Sequence, residues 1–373
     1  MKICAIICEF NPFHNGHVEI IERARQLSGC DFVVCVMSGQ FTQRGDMCRI
    51  DKFLRAKHAI YAGADAVVEL PAPFAVAPAE IFARGAVKLV ANFKAGLSLC
   101  FGSESGTGEE FKKAAKIALD ESEEFKTLLA KGLDEGESFI KSYSAAFAAC
   151  GGDEGIISSP NNVLGVEYCK AVLSSGKPIE IFTTQRKRGE DFAPAHTIRN
   201  LSVEGESFNT FMPCYSYTDF YSAPDRTARF EQACADGIFM GDKENIKRVY
   251  GCSEGLENRL KKLAEEFCGD YKSIVENATS KRYSSARIRR IMTANLLGLY
   301  ADETEGFLKS DLSLKVLAVR ESVKKELLPL LDYTAENDSS VKCYEINSSA
   351  YALWRYLSSP TGYKNYNEKM ILV

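Results

Sequence analysis

A chain of 373 residues, 46% hydrophobic and 26% charged, has the composition of a folded globular protein and the length of two domains. Its formal net charge of -4 excludes a surface that is basic overall, so any nucleic-acid contact has to be local. No run of eighteen uncharged apolar residues occurs, so no membrane span is expected, and 13 scattered cysteines without a C-x-x-C pair indicate free thiols, a cytoplasmic location and no zinc or other protein-held metal site.

The first half alternates strand and helix. Ile3–Cys8 is a continuous apolar run; the apolar stretch from Met1 stops at Glu9 with no cleavage site after it, so it reads as a buried strand rather than a signal peptide. A helix follows from His17 to about Ser28, then a strand over Phe32–Met37. Lys52–Ala64 reads as helix, Ala66–Leu70 as the third strand, Pro78–Phe93 as helix and Leu97–Phe101 as the fourth strand. Two helical stretches, Glu109–Leu129 and Glu137–Ala149, precede a helix over Asn161–Ser174 and a fifth strand over Ile179–Thr184. Strands apolar on both faces, separated by amphipathic helices, predict an α/β domain: a doubly wound, parallel, five-stranded Rossmann-like sheet ending near residue 200. Beyond it, Phe208–Asp225 is aromatic and irregular. Thr227–Leu297 reads as mainly helical, and Leu314–Val319 and Val341–Ile346 look strand-like. The expected organisation is therefore a sheet domain over 1–200 and a mainly helical region over 201–373.

The sharpest pattern is Asn11-Pro12-Phe13-His14-Asn15-Gly16-His17, directly after the first strand and opening the first helix. Ligands of α/β sheets bind beyond the carboxyl ends of the strands, where the topology changes direction. Backbone N–H groups at a helix start attract phosphate. Two imidazoles three residues apart can donate to phosphate oxygens as charge grows on them during attack at an α-phosphate. Gly16 leaves room for a nucleotide against the backbone. His14 and His17 are therefore the candidate catalytic residues, and they are two of only four histidines.

This stretch resembles the HIGH-motif nucleotidyltransferase superfamily. More closely, the chain is similar to the tRNA(Met) cytidine acetate ligase family, on pieces spread over most of its length: Glu9–His17, Met37–Asp46 with its Gln43-Arg44-Gly45 core, Asp51–Lys57, Val68–Pro71, Phe101–Glu104, Ser159–Gly165 with its Asn161-Asn162 pair, and Lys281–Tyr283. The resemblance implies a ligase. It would activate acetate with ATP to acetyl-adenylate and pyrophosphate, then pass the acetyl group to N4 of the wobble cytidine of elongator tRNA(Met). It also implies that ATP is held by Ile7, Cys8, Glu9, Phe10, Asn11, Pro12, Phe13, His14, Asn15, Gly16, His17 and Ile20, by Gly102, by an Asn of the Asn161-Asn162 pair, and by Arg186 and Lys187. Related nucleotidyltransferases grip the β- and γ-phosphates with a Ser/Thr-x-x-Ile-Arg motif, which points to Thr197 and Arg199. The residues before Thr197, Ala193-Pro194-Ala195-His196, depart from that pattern.

Several positions make chemical sense without the family. Gly102 ends the fourth strand and should face the two-histidine turn across the crevice. Asn161 and Asn162 start a helix, one of them as its N-cap. Arg186, Lys187 and Arg188 follow the fifth strand, where cations suit a triphosphate. Mg2+ is expected with the triphosphate rather than on a carboxylate cluster. For RNA, Gln43, Arg44, Lys52 and Arg55 lie on the loop and helix after the second strand. Lys281, Arg282, Arg287, Arg289 and Arg290 place five cations within ten residues around Tyr283, a pattern that suits an RNA backbone and a stacked base. Two other functions fit parts of the pattern: an adenylyltransferase acting on a phosphorylated small molecule, and a nucleotide- or RNA-binding homologue without turnover.

Overall fold

The computed structural model describes residues 1–187, 189–331, 338–358 and 369–373, with backbone only at 139 and 140. Its sheet has seven strands: β1 (Lys2–Cys8), β2 (Phe32–Ser38), β3 (Ala66–Leu70), β4 (Gly96–Ser103), β5 (Ile179–Gln185), β6 (Val316–Val319) and β7 (Ile371–Leu372). They lie in the order β5-β4-β1-β2-β3-β6-β7. The expected five are present and mutually parallel. The expectation of an all-parallel five-stranded sheet needs correction, because β6 joins the edge antiparallel to β3 and β7 follows it. β6 lies inside the strand-like run Leu314–Val319, but nothing in that run shows which strand it pairs with, and a two-residue β7 is too short to announce itself by apolar run length.

Alternation along β1 shows why helices cover both faces. Ile3, Ala5 and Ile7 join a core with the helices Ala79–Ala91, Gly108–Asp120 and Pro160–Ser175. Cys4 and Ile6 face the opposite way, onto the helices Asn15–Ser28 and Lys52–Tyr61. A further core unites the helices Thr227–Met240, Leu256–Glu266, Tyr271–Ala278 and Ser285–Leu297 with Asp338–Ser358. Phe41, from the loop after β2, is part of that same core.

Three local readings differ from expectation. Val341–Ile346 lies inside the helix Asp338–Ser358, whose buried positions Cys343, Asn347, Ala350, Tyr351, Trp354 and Leu357 repeat every three or four residues. That period, carried over 21 residues, outweighs the local β-branched character. The stretch Glu109–Leu129 is broken where Glu121 takes a left-handed φ of 35° and Ser122 caps the next helix. The aromatic segment 208–225 contains a helix, Cys214–Ser222.

Candidate nucleotide site

The two-histidine turn follows β1 at the sheet's centre, and β4 pairs alongside β1. His14 is the N-cap of the helix Asn15–Ser28, and its Nδ1 accepts from the Gly16 N–H at 3.1 Å. Nδ1 of His17 accepts from the His14 N–H, also at 3.1 Å. This reciprocal capping box uses imidazole nitrogens where Ser and Glu usually serve. The rings stack with centroids 3.6 Å apart.

Both Nδ1 atoms accept, so each neutral ring carries its proton on Nε2 and keeps one donor free of the turn. Burial, with the Arg186 charge nearby, pushes His14 down to about 3 and His17 well below its ordinary value. The pair therefore stays in the neutral donor state throughout the physiological range. The rate of the first chemical step should show no acid limb near pH 6.5 from these histidines. A pH profile of pyrophosphate exchange checks this, and a histidine-like limb would contradict it. Stability carries the matching sign. The unfolded chain takes up the His14 proton first, so this group's contribution is complete above about pH 6.5 and is lost as pH falls towards 3.

Phe10 and Phe13 are buried and meet edge to face at 4.9 Å. The Phe10 ring also packs 4.8 Å from His17. Their side chains pack against each other and against the His17 ring, bracing the turn. Asn15 is likewise turned away, its Nδ2 donating to the carbonyls of Asp191 and Thr210. Asn11 differs: it is 4% exposed, and its Nδ2 has no hydrogen-bond partner among the described residues. A buried amide without a partner costs about 1–3 kcal/mol unless a ligand satisfies it. Gly102 is the last residue but one of β4. A Cβ there would stand 3.4 Å from Arg186 Cγ and 4.0 Å from Ile20 Cδ1, so Gly102, Ile20 and Arg186 converge beside the turn.

The Asn pair divides its work. Asn162 is wholly buried; it accepts from the Glu104 N–H and donates to Ser105 Oγ and the Gly155 carbonyl. It is a brace and not a ligand group. Asn161 donates to Glu104 Oε1 at 2.8 Å and its own Oδ1 is uncommitted among the described residues. Neither caps the helix, since Ser159 does so. Lys187 is held 2.6 Å from Glu19, whereas Arg186 is exposed and without an ion pair among the described residues. Arg188 lies outside the described residues.

Thr197 sits in the first turn of the helix Ala195–Glu204, whose N-terminus has no side-chain cap. Its N–H groups are thus open to an anion. Arg199 donates to the Asn11 carbonyl at 2.6 Å and lies 3.6 Å from Asp46. Asp46, given no role from sequence, also receives Arg289 at 2.9 Å. No local signal marks such a fork, because its members are 153 and 243 residues away.

Most of the expected RNA-binding side chains are used internally. Lys52 and Arg55 are fully buried. Lys52 pairs with Glu69 at 2.8 Å, and Arg55 donates to the carbonyls of Glu9, Ser38, Gly39 and Ile50. They lie three apart on a helical face as expected, but that face packs against the strand ends. Gln43 is bound to Glu9 and to the Ala77 carbonyl. Arg290 donates to the Gln43 carbonyl, and Arg287 to the Gly251 carbonyl while covering the Tyr283 ring at 4.7 Å. Tyr283 is 8% exposed and offers no face to a base. Lys281 and Arg282 are exposed, the latter paired with Glu254 at 2.7 Å. Arg44 is exposed as well.

A turn with two Nε2 donors, a glycine beside it at a strand end and cations at the strand ends suits a nucleotide on a doubly wound sheet. The family model described as HIGH Nucleotidyl Transferase matches residues 1–350, so the chain belongs to that class. A relative named tRNA(Met) cytidine acetate ligase from Clostridium botulinum is 32% identical, covering 98% of this chain and 99% of its own. One of the same name from Acetivibrio thermocellus is 35% identical over 82% of this chain and 79% of its own. The Thermotoga maritima TmcAL crystal structure with bound alpha-thio ATP superposes with a TM-score of 0.83 at 27% identity, covering 97% of this chain and 96% of the other. Within the class, the chain is a member of the tRNA(Met) cytidine acetate ligase family.

Proposed function

We propose that this protein activates acetate with ATP and transfers the acetyl group to N4 of the wobble cytidine of elongator tRNA(Met). The observation that carries the first step is the pair of neutral imidazoles with fixed Nε2 donors at the end of β1. An acetate oxygen attacks the α-phosphorus, the bond to the bridging oxygen breaks, and pyrophosphate leaves with the electron pair. The carboxylate is already a nucleophile, so this step needs no general base. It needs donors in place for the growing phosphate charge, and two rings braced by the backbone provide them without reorganising.

In this reading the adenosine lies along Gly102 and Ile20, with Asn11, Asn161 and Arg186 as polar contacts. The uncapped helix start at Thr197 and the Arg186 guanidinium accompany the departing phosphates. Among the described residues no group of three or more His, Cys, Asp or Glu side chains is placed to hold a metal. Mg2+ would come with the triphosphate, whose oxygens suit it as ligands. The cytidine amine then attacks the acetyl carbonyl, the acyl C–O bond breaks, AMP leaves with the electron pair and the amine's proton passes to solvent. Exposed Lys281 and Arg282 are the members of the basic cluster that could meet RNA. No helix among the described residues is long and apolar enough to cross a membrane, and a tRNA substrate supports a cytoplasmic reaction in this reading. The decisive assay supplies tRNA(Met), ATP and acetate and looks for N4-acetylcytidine by mass spectrometry. The expected product requires all three; formation without ATP, or none with all three, would contradict the proposal.

A further inference from the structure

The loop between β2 and the helix Lys52–Tyr61 ends in a tight hairpin. Phe41 bridges Met47, the Thr42 N–H donates to the Asp46 carbonyl, and the Gly45 N–H donates to the Thr42 carbonyl. The tip is clamped from several sides. Gln43 is held by Glu9 Oε1 at 2.6 Å and by the Ala77 carbonyl. Asp46 is held by Arg199 and Arg289. The Gly45 carbonyl accepts from Thr293 Oγ1 at 2.7 Å. Gly45 has φ 83°, and a Cβ there would fall 2.7 Å from the Arg290 nitrogen, so only glycine fits.

Between these anchored neighbours stands Arg44, exposed, with no hydrogen bond or ion pair among the described residues. Most other cations around the turn are occupied: Arg55 by buried carbonyls, Arg199 by Asn11 and Asp46, Lys187 by Glu19, Arg289 by Asp46. Arg44 and Arg186 are the uncommitted guanidiniums at the strand ends among the described residues. In strand order they fall on opposite sides of β1: Arg186 follows β5, beyond β4, and Arg44 is on the hairpin after β2, which Glu9 and Arg199 tie to the start of the two-histidine turn. In-line displacement at the α-phosphorus puts nucleophile and leaving group on opposite sides. If Arg186 accompanies pyrophosphate, the opposite side belongs to the attacking carboxylate. A guanidinium fork matches a carboxylate with two parallel hydrogen bonds. A rigidly held tip is what gives such a contact its aim.

Resting on the function proposed above, we infer that Arg44 is the residue that binds and orients the acetate carboxylate for attack on ATP. Its nearest carboxylates do not compete for it as partners. Glu9 accepts the Gln43 N–H, and Asp46 is shared by two other arginines. Burial pushes the Glu9 carboxyl up, while the charges of Arg199 and Arg44 pull it back, which agrees with Arg44 standing close to the end of β1.

The test is acetate-dependent exchange of pyrophosphate into ATP, without tRNA, on the full chain carrying Arg44→Ala or Arg44→Lys. The expected result for Arg44→Ala is a rise in acetate KM of about 10- to 100-fold, with the ATP KM unchanged. Arg44→Lys should recover part of the loss, since it restores charge but not the fork. Melting temperatures should stay close to the parent chain, because Arg44 makes no hydrogen bond or ion pair among the described residues. Parent-like acetate KM in Arg44→Ala, including the case where only tRNA affinity falls, would overturn the inference and leave the proposed function standing. A parent chain that shows no exchange with acetate would overturn both.

Discussion

Replacing His17 with alanine should lower acetate-dependent pyrophosphate exchange by about 100- to 1,000-fold, the loss typical of removing one fixed transition-state donor. The geometry sets this size. His17 Nδ1 is spent on the His14 N–H at 3.1 Å, so Nε2–H is its one remaining hydrogen-bonding group. Burial holds the ring neutral, so the donor is a fixed dipole and not a titrating charge. Alanine also removes half of the capping box, which costs a helix about 0.5–2 kcal/mol. A melting curve separates that cost from the catalytic loss. His14→Ala should behave similarly, and the double variant should lose less than the product of the two, because the stacked rings act as one unit. Exchange within a few-fold of the parent in both single variants would remove the imidazoles from the chemistry.

The second large effect concerns stability. Lys52→Ala should destabilise the protein by about 3–5 kcal/mol, the cost of stranding a buried charge. Lys52 is 0% exposed, and both Glu69 oxygens lie within 3.0 Å of its Nζ. Lys315, at 3.7 Å from Glu69, provides a partial substitute and sets the loss towards the lower end. Removing the pair together, as Lys52→Met with Glu69→Gln, should restore much of the stability. Equilibrium urea denaturation of the three chains measures this. A stable Lys52→Ala chain with weakened tRNA binding would return Lys52 to the RNA surface, from which its burial removes it.

How much was legible depended on the range of the interaction. The five parallel strands and the turn after β1 rest on local patterns, an apolar run followed by a helix start, and these are visible in one chain. Gly102 was legible because strand order in such sheets follows from topology, and β4 pairs with β1 as the position required. The arginines and lysines were not. A cation on a sequence looks the same whether it points to solvent, to a carbonyl cage as Arg55 does, or across 243 residues to a carboxylate as Arg289 does. The basic cluster around Tyr283 stood out by charge density, yet Arg287, Arg289 and Arg290 bind the fold itself. Asn162 shows the same limit, since its three side-chain partners lie up to 58 residues away. The strand-like run Leu314–Val319 was legible, but the antiparallel place of β6 beside β3, 246 or more residues away, and the two-residue β7 were not.

The account stands most directly on where ATP is cut. With α-labelled ATP, acetate and tRNA(Met), the label should appear as AMP, with one pyrophosphate formed for each acetylcytidine. Label appearing as ADP, with inorganic phosphate as the co-product, would mean attack at the γ-phosphate and would contradict the role given to the two-histidine turn.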